Sequence, residues 1–172
     1  MSFAFVYCPR CGAPLATRAA FGRQRQVCAF CGYIQFRDPK VAVAGLVTAN
    51  SRVLLVRRAM IPRVGFWALP AGYMDEDEMP EAALARELTE ETGLTVNVER
   101  LLGVVPLGGW EEKRGILLVY TGQPAGGVLA AADDVTEARW FAPAELPWDE
   151  IAFSSTAEFL RSWIADLQPG AA

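Results

Sequence analysis

The sequence predicts a layered α/β domain that follows a small cysteine-rich module. All four cysteines fall within the first 31 residues, whereas later β-branched runs alternate with helical segments and show no internal repeat. Hydrophobic residues make up 52% of the chain and charged residues 21%, a balance that allows a buried core. A chain of 172 residues has room for one catalytic domain and one appendage. The Asp38-Pro39 step favours a boundary there, because the residue before proline avoids helical conformation. We therefore expect domains at 1–38 and 39–168.

The elements of the second domain follow from local patterns. The predicted strands are β-branched or aromatic runs bounded by turn residues, at 41–48, 53–58, 66–72, 96–105, 116–121 and 138–141. The first two strands flank a polar turn at 50–51, which predicts a hairpin. The clearest helix runs from Pro80 to Thr92, because proline suits the first helical position and Gly93 suits the position after the end. A capping-box spacing at Ser155 predicts a last helix that ends near Leu167.

The charge distribution and the absence of histidine limit the chemistry. The formal net charge is −4, and eight of the 20 acidic residues lie between Asp75 and Glu91. Such a cluster repels phosphate unless divalent cations lie between the carboxylates and the phosphate. The acidic net charge also disfavours a general nucleic-acid binder. Without histidine, Ser-His-Asp triads and imidazole bases are excluded. The N-terminus lacks a basic segment before its apolar run and no stretch resembles a membrane span, so we expect a cytoplasmic protein.

The cysteines form two Cys-x2-Cys pairs separated by 16 residues, Cys8 with Cys11 and Cys28 with Cys31. This spacing is typical of a four-sulfur zinc site, and a glycine after each pair lets the backbone turn toward the metal. The alternatives are two disulfides or a redox pair. A cytosolic compartment disfavours the disulfides, and the second matching pair disfavours a redox motif. With four sulfur ligands and no open position, the zinc would be structural.

The acidic cluster contains an ordered pattern of carboxylates. From Gly72 the sequence reads GYMDEDEMPEAALARELTEETGL. On a helix, Glu87, Glu90 and Glu91 fall within about 100° of arc, where their mutual repulsion favours bound cations. Arg86 lies four residues before Glu90 and is placed to pair with it. A solvated helix with charge pairs is the alternative reading of this stripe alone.

The complete pattern resembles the Nudix signature G-x5-E-x7-R-E-U-x-E-E-x-G-U, in which U is a bulky aliphatic residue, and every defined position is filled. The resemblance implies an α/β/α sandwich with a mixed sheet, in which residues 72–94 hold Mg²⁺ or Mn²⁺ against a diphosphate. The resemblance implies that Arg86, Glu87, Glu90 and Glu91 are the catalytic residues. Glu87 and Glu91 would be metal ligands, Glu90 would be a further ligand or would orient the attacking water, and the Ala71 carbonyl would be a backbone ligand. Gly72 and Glu78 would be supports, with Glu78 pairing with Arg86.

A zinc ribbon before a Nudix domain is similar to two groups, the bacterial NADH pyrophosphatases and a group that includes plant FAD and ADP-ribose pyrophosphatases. The first group carries a downstream SQPWPFPxS array, and here the corresponding region reads LLGVVPLGGWEEKRG. The second group shares a DPK-like entry at 38–40, an LWTLPAGYM-like run at 66–74 and an AFSS segment at 152–155. The resemblance therefore favours FAD or ADP-ribose as the substrate.

The same resemblance marks further positions, each with a plain alternative. Glu137 matches a late metal ligand, or is a solvated charge at a strand end. Phe36 matches an aromatic residue that touches the nucleotide, or packs at the domain junction. Ala157 matches a residue that lines the pocket. Glu111 and Glu112 lie where some members place a catalytic carboxylate, and surface charge is the plainer reading.

Other functions remain open from the sequence. One is an NADH/NAD pyrophosphatase, or an enzyme acting on RNA caps or damaged nucleotides. Another, of a different class, is a non-catalytic nucleotide sensor, although sensors usually lose the glutamates kept here. Either Arg57 or Arg58 could reach phosphates, since neighbouring strand residues point to opposite faces. The resemblance implies a homodimer acting on a small dinucleotide or nucleotide-sugar; a nucleic-acid partner is not expected, although five arginines before Asp38 leave an RNA role open.

Overall fold

The computed structural model describes residues 5–107 and 115–167. The chain divides into two compact units, residues 1–38 and 39–172. Glu111 and Glu112 lie outside the described residues. Within the described ranges, none of the helices combines the length and the apolar character that crossing a membrane requires.

The first unit is a three-stranded antiparallel sheet in the order β1-β2-β3. Its strands are β1 (Leu15–Ala20), β2 (Arg23–Cys28) and β3 (Ile34–Gln35). The β1–β2 turn takes positive φ at Phe21 (50°) and at Gly22 (72°). Two residues with positive φ suit the right-handed twist of a tight hairpin. The first cysteine pair lies before β1, and the second runs from Cys28, the last residue of β2, to Cys31 in the turn before β3.

The second unit is a seven-stranded mixed sheet with the main order β10-β5-β4-β9-β8. Strands β4 and β9 are parallel, and the other pairs are antiparallel. The strands are β4 (Lys40–Ala49), β5 (Arg52–Arg58), β6 (Trp67–Ala68), β7 (Ala71–Tyr73), β8 (Leu94–Pro106), β9 (Gly115–Gly127) and β10 (Val135–Phe141). The helices are α1 (Pro80–Thr92) and α2 (Ser154–Leu167), with 3-10 turns at Pro143–Glu145 and Trp148–Glu150.

The central strands are buried on both faces, and a helix covers each face. Leu54 packs with Leu84 and Leu88 of α1, whereas its neighbour Leu55 packs with Leu160 of α2. Alternation along a strand sends successive side chains to opposite faces, so the continuous apolar run of β5 builds both cores. The predicted α/β/α sandwich with a mixed sheet is confirmed.

Helix α1 has the predicted bounds. It begins at Pro80 after an extended Met79 that makes no side-chain cap, and it ends at Gly93, whose φ is 69°. The Gly93 N–H donates to the Thr89 carbonyl at 2.9 Å. A Cβ at position 93 would lie 2.7 Å from the Val128 carbonyl oxygen, so both the conformation and the close approach require glycine.

Two elements differ from the sequence-based prediction. The segment predicted as one strand at 66–72 forms two short strands, because β6 pairs with β5 and β7 pairs with β4. Leu69 and Pro70 lie between them, and Pro70 has no N–H to donate to a ladder. Helix α2 begins at Ser154, so Ser155 belongs to its first turn and is buried rather than acting as the predicted cap.

Candidate active site and zinc centre

Arg86 joins three carboxylates of the signature segment. Its Nε and Nη2 donate to both oxygens of Glu78 at 2.7 and 2.8 Å. Its Nη1 donates to Glu87 at 2.8 Å and to Glu90 at 3.0 Å, and Nη2 also donates to the Tyr73 carbonyl at 3.0 Å. Hydrogen bonds from Arg86 lower the pKa of Glu78 to about 2. The predicted pairings of Arg86 with Glu78 and Glu90 are confirmed, and they fix the signature loop to the helix.

Glu91 is buried against the sheet, with 3% of its surface exposed. Its Oε2 accepts the Ala71 N–H at 3.1 Å, although burial and the nearby Asp134 carboxylate raise its pKa to about 9. Burial also raises the pKa of Glu87, despite its contact with Arg86. An ionised Glu91 here requires a compensating cation, since a buried carboxylate beside another carboxylate otherwise holds its proton.

Gly72 makes room for Glu87. Strand β7 pairs with β4 at Gly72 and Val43, which brings the Gly72 backbone beneath α1. A Cβ at position 72 would lie 1.9 Å from the Glu87 carboxyl carbon. The signature glycine is therefore required by the close approach of a carboxylate, since no larger residue fits without displacing it.

The three helix glutamates do not share one environment. Glu91 points into the sheet, whereas the Glu90 side chain is 47% exposed and pairs with Arg86. Within residues 5–107 and 115–167, the four cysteines are the one group of three or more Cys, Asp or Glu ligand atoms that lies within 4.8 Å. The carboxylate oxygens nevertheless fit a hard divalent cation by donor type.

A cavity of about 300 Å³ opens beside the backbone of Ala71 and Gly72. Its walls bring Phe153 and Phe159 together with Arg58 and Asp134. The cavity is also lined by Leu69, Leu107, Leu117, Ser155 and Thr156. The walls thus combine apolar and aromatic surface with a cation and a carboxylate, the mixture that small-molecule sites use.

Ala157 lies in the first turn of α2, directly after two residues that line this cavity. Its N–H donates to the Phe153 carbonyl at 3.2 Å. The residues that the structure places on the wall are its neighbours Ser155 and Thr156, both buried.

The two arginines at the end of β5 face different surroundings. The Arg58 guanidinium lies 5.3 Å from the centre of the Phe153 ring, and its Nε donates to the Pro62 carbonyl at 2.9 Å. Arg57 instead lies over Trp67 and pairs with Glu137 at 2.9 Å. Arg58 is therefore the arginine on the cavity side, a choice that the sequence left open.

Glu137 and Asp134 lie in different surroundings. The Glu137 side chain is 51% exposed and pairs with Arg57, while Asp134 faces Glu91 and the cavity. Sequence reasoning singled out Glu137 and missed Asp134. The one local signal was an acidic pair just before the last strand, and only the tertiary contact with Glu91 distinguishes it from surface charge.

The cysteines converge as the spacing predicts. The Sγ atoms of Cys8 and Cys31 are 3.6 Å apart, as are those of Cys11 and Cys28, and all four thiols are free. Sulfurs around a tetrahedral zinc lie about 3.8 Å apart, given a Zn–S bond of about 2.3 Å. The donor set and its geometry fit zinc.

Phe36 is half exposed, and its packing partners lie within the first unit. Its ring centre is 5.8 Å from that of Phe21, and the Arg25 guanidinium lies 4.8 Å from it. Its surface is 51% exposed. Contact with a nucleotide stays a prediction for this residue.

Comparison with known proteins places the second unit in a family. Residues 38–164 match the NUDIX domain. The ADP-ribose pyrophosphatase of Methanocaldococcus jannaschii is 36% identical over 116 residues, which cover 67% of this chain and 69% of that protein. The NAD-capped RNA hydrolase NudC of Stutzerimonas stutzeri is 29% identical over 144 residues, which cover 82% of this chain. That match covers 49% of the NudC protein, so the chain corresponds to about half of it.

A solved structure of the same family has the same fold. The crystal structure of a NUDIX hydrolase from Nitrosomonas europaea superimposes with a TM-score of 0.88 at 27% identity, covering 96% of this chain and 94% of that one. The match includes the cysteine-rich unit as well as the sandwich, since it extends over almost the whole chain. With 38–164 of its 172 residues matched, the chain belongs to the NUDIX family, and the Nudix hydrolase predicted from its signature is confirmed.

Proposed function

We propose that the chain hydrolyses the diphosphate linkage of a nucleoside diphosphate joined to a second moiety, with FAD or ADP-ribose as preferred substrates. The observation that carries the proposal is the buried carboxylate of Glu91 and its neighbour Asp134, which lines the cavity. A buried carboxylate next to a second, partly buried carboxylate is costly for the fold unless the two serve to bind cations.

The residues that would hold Mg²⁺ or Mn²⁺ are Glu87, Glu91 and the Ala71 carbonyl, with Glu90 and Asp134 completing the group. When bound, the ions would neutralise the diphosphate and activate the attacking water. The chain itself contributes the positions of the carboxylates. Arg86 holds Glu87 and Glu90 by its Nη1, and the Ala71 N–H holds one oxygen of Glu91. Glu90, the most exposed of the three, is suited to orient or deprotonate water.

The cavity supports a nucleotide substrate. Phe153 and Phe159 offer flat apolar surface for a ring, and Arg58 offers a positive charge on the same wall. A volume of about 300 Å³ lies at the lower end of the range for small-molecule sites. It therefore suits one half of a dinucleotide, with the diphosphate at the mouth beside Gly72 and the other half outside.

The choice of substrate rests on similarity. The likeness to an ADP-ribose pyrophosphatase and the absence of the SQPWPFPxS array favour ADP-ribose or FAD over NADH. A second candidate is an NAD(H)-linked substrate, including NAD-capped RNA, because the likeness to NudC extends over 82% of the chain. The retained glutamates argue against a non-catalytic sensor.

The test is cleavage of the diphosphate linkage with Mg²⁺ or Mn²⁺. It is measured as AMP released from FAD, ADP-ribose, NADH, NAD⁺ and ADP-glucose, as pyrophosphate released from dNTPs, and as nicotinamide mononucleotide released from NAD-capped RNA. Wild type is compared with Glu91→Gln and with Glu76→Gln, an exposed glutamate of the same signature loop. We expect preferential cleavage of ADP-ribose or FAD that is lost in Glu91→Gln and kept in Glu76→Gln. Preference for NADH or NAD-capped RNA would favour the second candidate. Tight nucleotide binding without turnover would favour a sensor.

Three further features belong to the proposal. A zinc ion held by four thiolates has no open position, so its role is structural, and metal analysis should give one zinc per chain. We also propose a homodimer, which light scattering tests, and a cytoplasmic location, which fractionation of the native cell tests.

A further inference from the structure

One face of the sheet in the first unit carries all of that sheet's charge. The β1–β2 register sets Arg18 opposite Arg25 and Ala20 opposite Arg23, so the three arginines share one face. Phe36 joins this face because the Arg25 guanidinium lies over its ring. The opposite face holds uncharged residues, namely Thr17, Ala19, Gln24, Gln26 and Gln35. We name the charged side the arginine face and define it as Arg18, Arg23, Arg25, Phe21 and Phe36.

The arginine face brings like charges together without a carboxylate among them. Arg18 and Arg25 are directly opposite across the strand pair, an arrangement that is destabilising for like charges. Asp38 is the one acidic residue of the first 38. Arg18 and Arg23 are both exposed to solvent. Their proximity costs stability in the free protein, and a bound polyanion would remove that cost.

Two exposed aromatic rings lie among these charges. Phe21 is 76% exposed and Phe36 is 51% exposed, and their ring centres are 5.8 Å apart. Phe21 is at the tip of the hairpin, so its ring is not part of a core. It also has a positive φ, which is uncommon for phenylalanine. Exposed rings beside arginines form a platform on which bases stack while phosphates meet guanidinium groups.

We propose that the arginine face binds single-stranded nucleic acid. Unpaired bases are required because stacking on Phe21 and Phe36 needs an open base surface, which a duplex does not offer. An acidic peptide would satisfy the arginines but leave both rings unused. The net charge of −4 does not oppose such binding, since eight of the 20 acidic residues are concentrated between 75 and 91. This binding is independent of the hydrolysis proposed above.

The proposal sets the salt dependence of binding. Each arginine that neutralises a phosphate of a single strand contributes about −0.7 to the slope of log K against log salt, so three give about −2. Removing the rings should weaken binding at every salt concentration and leave the slope unchanged, because stacking releases no counterions. The two contributions can therefore be separated by substitution.

The experiment measures fluorescence anisotropy of 5′-hydroxyl U12 and dT12 oligonucleotides with the full-length, zinc-loaded protein between 25 and 200 mM salt. These probes contain no diphosphate, so the hydrolase site has no linkage to act on. The variants are Arg18→Gln/Arg23→Gln on the charged side and Phe21→Ala/Phe36→Ala on the rings. The matched control is Thr17→Ala/Gln24→Ala on the opposite face. Zinc content and the far-ultraviolet circular dichroism spectrum of each variant verify that both units are folded.

We expect the wild type and the control to bind with a slope near −2. The arginine variant should have a slope shallower by about 1.4 units, and the ring variant should bind at least about tenfold more weakly with the slope of wild type. Absence of binding to both oligonucleotides at 25 mM salt would overturn the proposal. Equal binding of a 12-base-pair duplex, or equal losses in the opposite-face control, would overturn it as well. An acidic peptide that binds while the oligonucleotides do not would identify a protein partner instead.

Discussion

The carboxylate of Glu87 lies in the space that a side chain at position 72 would fill. The two residues belong to different elements, β7 and α1, and the Gly72 backbone pairs with β4 at the centre of the sheet. The distance from a Cβ at position 72 to the Glu87 carboxyl carbon would be 1.9 Å, far below any real contact. Gly72 and Glu87 therefore act as one unit, in which the glycine sets where the carboxylate lies.

Gly72→Ala should lower activity about 100-fold without unfolding the protein. The new methyl group must displace the Glu87 side chain, and a displacement of about 1 Å in a catalytic group lowers the rate about 100-fold. The measurement is kcat/KM on the preferred substrate, together with the melting temperature. Gly126→Ala is the matched control, because a Cβ there meets nothing within 4 Å. Equal activities of the two variants would contradict the assigned role of Gly72.

Glu91→Gln should remove activity while stabilising the metal-free fold above pH 6. The pKa of Glu91 is raised from 4.5 to about 9 by burial and by Asp134, so the folded state binds an extra proton between these values. Unfolding free energy therefore falls as pH rises through this window, and the wild type loses on the order of a few kcal/mol that the variant keeps. Melting temperatures at pH 5 to 9 after dialysis against Mg²⁺-free buffer measure this.

The stability difference between wild type and Glu91→Gln should be small at pH 5 and grow toward pH 9. Glu76→Gln should follow the wild-type profile, since Glu76 is exposed. Saturating Mg²⁺ should stabilise the wild type more than Glu91→Gln at pH 8, because binding to the folded state alone adds stability. A pH profile of Glu91→Gln parallel to that of wild type would show that Glu91 is not the group that loses its proton.

Asp134→Asn should raise the Mg²⁺ concentration needed for half-maximal activity by about tenfold, and Glu137→Gln should change it less than about twofold. Asp134 lies beside Glu91, whereas Glu137 is held by Arg57. Removing a charge that faces a cation weakens its binding, while an exposed ion pair contributes little. Magnesium titrations of initial rate distinguish the two residues. A larger effect of Glu137→Gln than of Asp134→Asn would instead identify Glu137 as the metal ligand.

Arg58→Ala should raise KM by about tenfold, which corresponds to the loss of one charge-assisted hydrogen bond. Arg58 lies on the cavity wall against Phe153, whereas Arg57 pairs with Glu137 and Glu150. Arg57→Ala is the matched control and should leave KM within about twofold. The measurement is steady-state kinetics on ADP-ribose. Equal KM values for the two variants would remove Arg58 from the substrate site.

Features set by residues close in sequence could be predicted, whereas features set by the register between strands could not. Pro80, Gly93 and the i,i+4 pair of Arg86 with Glu90 act within a few residues, so the sequence gives both the helix bounds and the brace. Asp134 depends instead on how β10 meets β5. A register shift between Val135 and Glu137 breaks the alternation there, and no local pattern indicates it. The side on which Arg57 and Arg58 lie depends on the same pairing.

The parallel pairing of β4 with β9 also determines how late during synthesis the packing around α1 is completed. Residues 40–49 emerge early, but their central neighbour comes from residues 115–127, after α1 and β8 have been made. Non-local pairing of this kind is slow, because a long segment must close before any contact stabilises it. Leu84 and Leu88 of α1 pack against Tyr120 of β9 as well as against earlier strands, so the surroundings of the helix are complete only after β9 has been made. We therefore expect the glutamates of α1 to reach their final positions late in translation, and a nascent or truncated chain that ends before β9 to lack hydrolase activity.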